Sequence, residues 1–143
     1  MSSNIDSFDI EQRLFDAAAE FVQQRYPQGW GGAGAVYTDA GSLLISVAPE
    51  VINDATNLCM ETGAYLEAHK LNERVTHSLC IARDDENSAF KVLTPCGICQ
   101  ERLFYWGEDV KAAVYDPSGN LVFKTLNEIQ SYHWSKAYRN IYD

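Results

Sequence analysis

Four side chains in two short stretches could do chemistry together: Cys59 and Glu61 in "LCMETG", and Cys96 and Cys99 in "PCGIC". A Cys-x-x-Cys pair has three uses: a redox dithiol, half of a closed structural zinc site, or part of a catalytic zinc site. A dithiol needs no third cysteine. A closed site needs a fourth ligand, for which His69 and His77 are candidates, although neither has a paired spacing to the cysteines. A catalytic site needs three protein ligands and leaves the fourth position on tetrahedral zinc for water. Cys59 can supply the third thiolate, and Glu61 is an acid that coordination does not require. Three thiolates acidify a water less than three imidazoles do, so a neighbouring proton acceptor gains importance.

The elements around these residues must bring them together across 37 positions (96 − 59). Both stretches fall where a loop enters a helix, and the partial positive charge of a helix N-terminus favours thiolate. Apolar residues at Ile10, Leu14, Phe15, Ala18, Phe21 and Val22 predict a helix from Asp9, with residues 1–8 a loose tail and "GWGGAG" as the break. "AVYT" and "SLLISV" read as strands. A second helix is expected from Ala55 or Asn57 to Leu71, with Leu58, Ala64, Tyr65 and Ala68 inward. "VTHSLCIA" reads as a buried strand in which Cys80 is a small hydrophobe. "FKVL", a helix over Gly97–Trp106, "VKAAVY" and "LVFK" follow, and "LNEIQ" with "SYHWSKAYRN" ends the chain as helix or irregular structure. Alternating strands and helices predict a single α/β domain over residues 1–143, a three-layer α/β/α sandwich around a mixed sheet.

A chain of 143 residues can bury a core without disulfide staples. Net charge is −9, which argues against a nucleic-acid surface, because phosphate affinity comes from clustered Lys and Arg. No apolar run approaches the ~18 residues a membrane span needs, and "MSSNIDSFDIEQ" lacks the basic and apolar regions of a signal peptide. The expectation is a cytoplasmic protein whose cysteines serve a metal or catalysis before disulfides.

Zinc deaminases of nucleobases carry a His or Cys, then x-Glu, then Pro-Cys-x-x-Cys, the Glu acting as acid and base. Cys59-Met60-Glu61 with Pro95-Cys96-Gly97-Ile98-Cys99 resembles the C-A-E and P-C-G-x-C motifs of the small homotetrameric cytidine deaminases and relatives such as blasticidin-S deaminase. "WGGAGAVYTDAG" and "TLNEIQSYHW" match flanking family segments in spacing, so the resemblance spans residues 10 to 134. It implies a hydrolase that removes the amine of a cytosine nucleoside, with one zinc per subunit on Cys59, Cys96 and Cys99 and Glu61 moving protons. It places Trp30 at the base, Met60 among the substrate-binding residues, Glu50 on a ribose hydroxyl, and Trp134 at a neighbouring subunit's site. The implied setting is pyrimidine salvage by a homotetramer, or else a dimer, with a small nucleoside as partner.

Four positions depart from the family pattern. Its N-x-E ribose motif reads Ala48-Pro49-Glu50, its Arg after C-A-E is Thr62, and its Arg-Gln after the last cysteine is Gln100-Glu101, followed by Arg102. The thiolate charge must therefore be balanced differently, by Arg102 or by the helix ends alone. The alternatives are a deaminase of another aminated heterocycle (blasticidin-S-like, an aminopurine or an N4-modified cytosine) and a non-catalytic zinc-stabilised module.

Overall fold

A computed structural model describes residues 7–138. Helix α1 (Ser7–Arg25) buries Leu14, Ala18 and Val22, one residue per turn on one stripe. It starts two residues before the expected Asp9; the rest of the expected tail, residues 1–6, lies outside the described residues. The helix ends before Tyr26-Pro27, because a residue preceding proline is pushed out of helical geometry.

The glycine run that reads as a helix break belongs instead to strand β1 (Gly31–Thr38). The reason is close approach. A Cβ on Gly32 would lie 2.6 Å from Met60 Sδ, and one on Gly34 would lie 2.6 Å from Glu61 Cα. Strand β2 (Leu43–Ser46) pairs antiparallel with β1, and β3 (Val75–Arg83) pairs antiparallel with its other edge, setting Gly34 opposite Cys80. Strand β4 is shorter than expected, only Lys91–Val92, and pairs with β3. Strand β5 (Lys111–Val114) runs parallel to β3, and β6 (Val122–Thr125) closes an antiparallel hairpin with β5. The result is a six-stranded mixed sheet of order β2-β1-β3-β5-β6, with β4 on β3.

Alternation along the strands divides the core. Ala35, Leu79, Ile81 and Ala113 face Leu14 and Ala18 of α1. Val36, Val75 and Ala112 pack on the opposite face with helix α2 (Thr62–Leu71) and helix α3 (Gly97–Phe104), through Ala64, Tyr65, Ala68, Cys99, Leu103 and Phe104. These are the three expected layers. Each large side chain buried this way contributes roughly 1.5–3 kcal/mol. Tyr65, almost fully buried, keeps its hydroxyl satisfied by Ser78 Oγ at 2.8 Å.

The expected long second helix is two pieces. Asn53 accepts from Ala55 N and caps a 3₁₀ turn at Asp54–Thr56, Asn57 is extended, and α2 begins only at Thr62. Leu58 falls in the gap and is 47% exposed rather than inward. At the C-terminal end a capping box between Thr125 and Glu128 starts helix α4 (Leu126–Ile129), and a 3₁₀ turn follows at Trp134–Ala137.

Candidate metal and catalytic site

The two cysteine-bearing loops converge because α2 and α3 pack together on one face of the sheet. Cys59 precedes α2 by a single turn, Cys96 is the residue before α3, and Cys99 lies in its first turn. Their three Sγ atoms lie within 4.8 Å of one another, with Cys59 and Cys96 only 3.3 Å apart. Three sulfurs on a tetrahedral zinc, at ~2.3 Å each, stand about 3.8 Å from one another, so the cluster matches such an ion in size. Among the described residues no fourth ligand joins it. His69 stacks on Trp106 with ring centroids 4.6 Å apart, and His77 bonds Thr76 Oγ1 through Nδ1 at 2.8 Å. A closed four-ligand site is therefore not formed here.

Each thiol feels a different environment. Burial pushes Cys59 up, and the neighbouring Cys96 sulfur adds to this. Burial drives Cys99 far above the usual thiol value, with the Glu61 charge acting in the same direction. Cys96 goes the other way: burial raises it, but the N–H of Cys99, the thiols of Cys59 and Cys99 and the N–H of Ile98 together outweigh that and favour its thiolate. Cys59 and Cys99 are thus held toward the protonated thiol and Cys96 toward the thiolate. A bound metal displaces the thiol protons.

Glu61 sits at the N-cap of α2 with no capping hydrogen bond from its side chain, and it is only 3% exposed. Burial raises its carboxyl above the ordinary range, opposed by its own backbone N–H and by the thiols of Cys80 and Cys99. Its backbone rests on Gly34. Cys80, directly across from Gly34, is buried as expected of a small hydrophobe, yet it also lines the floor of the cleft beside Glu61. Ser46, which no sequence signal singles out, fastens the Cys59–Glu61 turn: its Oγ donates to Met60 O at 2.6 Å and accepts from Ala64 N at 2.9 Å.

The cleft has a volume of about 330 Å³, and its walls include Trp30, Ala48, Leu58, Met60 and Leu93 above Cys59, Glu61 and Cys96. Trp30 and Met60 thus stand at the cleft. Glu50 is exposed, and Trp134 is 60% exposed with its Nε1 donating to Glu101 Oε1 at 3.3 Å; neither lines the cleft within one chain. A larger cavity of about 530 Å³ lies on the α1 side of the sheet and holds none of the thiols. Of the departing positions, Thr62 is buried, and Gln100 turns away to donate to Pro95 O at 2.7 Å.

No family model matches the chain. It is 54% identical to the cytidine deaminase from Bacillus anthracis, whose crystal structure superposes with a TM-score of 0.90 over 92% of this chain and 94% of that one. The crystal structure of cytidine deaminase from Mycobacterium leprae, 22% identical, shares the fold with a TM-score of 0.61 over 87% of this chain and 98% of that one. Blasticidin-S deaminase from Bacillus cereus is 24% identical over 131 residues, spanning 88% of this chain and 91% of that protein.

Proposed function

The chain belongs to the cytidine deaminase family, and from that premise we propose that it is a zinc-dependent hydrolase of cytidine, deoxycytidine or a closely related cytosine nucleoside. The observation that carries this reading is the juxtaposition of a three-thiol cluster, one ligand short of a tetrahedron, with a buried carboxyl whose proton affinity is raised. Zinc, when bound, would lower the pKa of a water and so make it a nucleophile. The rest of the work falls to side chains. Cys59, Cys96 and Cys99 hold the metal. Glu61 accepts a proton from water, delivers it to the ring nitrogen, and then serves the departing amine. Burial raises the carboxyl, the direction that favours a group which must both accept and return a proton.

Trp30 and Met60 flank the base in this proposal, a role supported by their place on the cleft wall. Glu50 grips a sugar hydroxyl, and Trp134 completes the site of a neighbouring subunit in a homotetramer; their support is family position, together with exposure that leaves both free for such contacts. Pyrimidine salvage in the cytoplasm is the setting that fits. Among the described residues no helix is long and apolar enough to cross a membrane.

A second reading, a deaminase whose substrate carries something other than plain ribose, is favoured by Ala48 on the cleft wall and by the likeness to blasticidin-S deaminase. Zinc-loaded protein should convert cytidine or deoxycytidine with release of ammonia, followed by the change in ultraviolet absorbance. Unchanged spectra with both nucleosides, but ammonia from another aminated pyrimidine or purine, would select the second reading.

A further inference from the structure

Gln100 and Glu101, the two residues that follow the last cysteine, both bond to the C-terminal segment. Gln100 Nε2 donates to Pro95 O at 2.7 Å, the carbonyl that leads directly into Cys96. Gln100 Oε1 in turn accepts from Gln130 Nε2 at 2.8 Å, where Gln130 closes α4. Glu101 Oε1 meets His133 Nε2 at 2.5 Å and accepts from Trp134 Nε1 at 3.3 Å. His133 is buried and stacked on Phe104 of α3 at 3.9 Å. Its Nδ1 accepts from Ser135 N at 3.2 Å, which leaves Nε2 as the donor to Glu101. Residues 130–135 are thus strapped along the helix whose N-cap and first turn supply two of the three thiols.

We propose that the segment Gln130–Ser135 is a clasp for the metal loop, with Gln130 and Gln100 as positioning residues that hold Pro95-Cys96 in place through the Pro95 carbonyl. The proposal rests on the three-thiolate metal site described above. Three thiolates around a divalent ion leave one net negative charge, and the sulfurs repel one another. Gln100 holds the residue before Cys96 from outside the cluster. Residues that orient metal ligands in this way typically govern metal affinity by ~10–100-fold.

The test uses the full chain, zinc affinity by chelator competition, and the absorption spectrum of the cobalt-substituted protein. Gln130→Ala and Gln100→Ala should each weaken zinc binding roughly 10–100-fold and alter the thiolate-to-cobalt bands. The double variant should bind no more weakly than Gln100→Ala alone, because both act through one carbonyl. Gln24→Ala removes a comparable glutamine bond, to Glu20 on the surface of α1, and should leave affinity and spectrum unchanged. Gln130→Ala and Gln100→Ala with wild-type zinc affinity and cobalt bands would overturn the clasp while leaving the metal site standing. A wild-type protein without thiolate-to-cobalt bands would overturn the metal site, and the clasp with it.

Discussion

Replacing Gly34 by alanine puts one methyl group where the backbone of Glu61 passes. The added Cβ would sit 2.6 Å from Glu61 Cα and 2.9 Å from both its N and its Cγ. Ordinary contact begins near 3.4 Å, so roughly 0.8 Å (3.4 − 2.6) of movement is required. The obstructing atoms are mainly backbone and cannot swing aside as a rotamer does. Strand β1 is held on both edges, by β2 and β3, so the displacement falls on the start of α2. Overpacking of this kind costs about 1–3 kcal/mol, and misplacing a reacting group by about 1 Å costs on the order of 100-fold in rate. Gly34→Ala should therefore lower kcat by tens- to about a hundred-fold, with a smaller change in KM, since Trp30 and Met60 lie over Gly32 instead. The melting temperature should fall by roughly 3–10 °C. Steady-state kinetics on the substrate that turns over, together with a thermal melt and zinc analysis, provide the check. A variant with kcat within threefold of wild type and an unchanged melt would refute the claim that Gly34 exists to seat Glu61.

Ser46→Ala leaves Met60 O and Ala64 N without their shared partner, and should cost about 1–3 kcal/mol and lower kcat, read by the same melt and kinetics. Burial, then the charge of Lys111, holds His77 at about 4 against an unfolded value near 6.5, so the unfolded chain binds the proton first. Its contribution to stability is complete above pH 6.5 and is lost as pH falls toward 4, by about 3 kcal/mol. His77→Phe should flatten that part of the stability–pH curve in denaturant titrations, and an unchanged slope would contradict the assignment. Stripping zinc with a chelator should abolish turnover and lower the melting temperature, both restored by added zinc. Free zinc at a hundredfold its dissociation constant contributes about 2.7 kcal/mol to the folded state.

The chemistry was more legible than the framework that holds it. Cys59-x-Glu61 and Pro95-Cys96-x-x-Cys99 could be read because helix N-termini and metal valence restrict which residues serve and at what spacing. The layers followed from period-2 and period-3.6 patterns. The glycines at 31, 32 and 34 misled, since a glycine cluster carries the same local signal whether it breaks a helix or lets another backbone approach. Leu58 fits a helical stripe and so extends the expected second helix too far, whereas Asn53 and Asn57 impose a separate turn first. Ser46 and Gln130 were invisible for a related reason: each acts through a hydrogen bond to a main-chain group or side chain that is distant in sequence, 14 residues for Ser46 and 30 for Gln130. Gln100 and Glu101 looked like a deficit of positive charge when only their neighbours in sequence were considered. In three dimensions they are the anchor of the C-terminal segment.

The central claim is that Glu61 carries protons beside a metal it does not bind, and Glu61→Gln tests it with the least disturbance of shape. Purified variant and wild type should be compared for zinc content, melting temperature and turnover of the same nucleoside. The account predicts one zinc per chain, a melt close to wild type, and turnover reduced by about 100- to 10,000-fold, the range that general acid–base catalysis supplies. Turnover within tenfold of wild type in a zinc-loaded Glu61→Gln protein would contradict it.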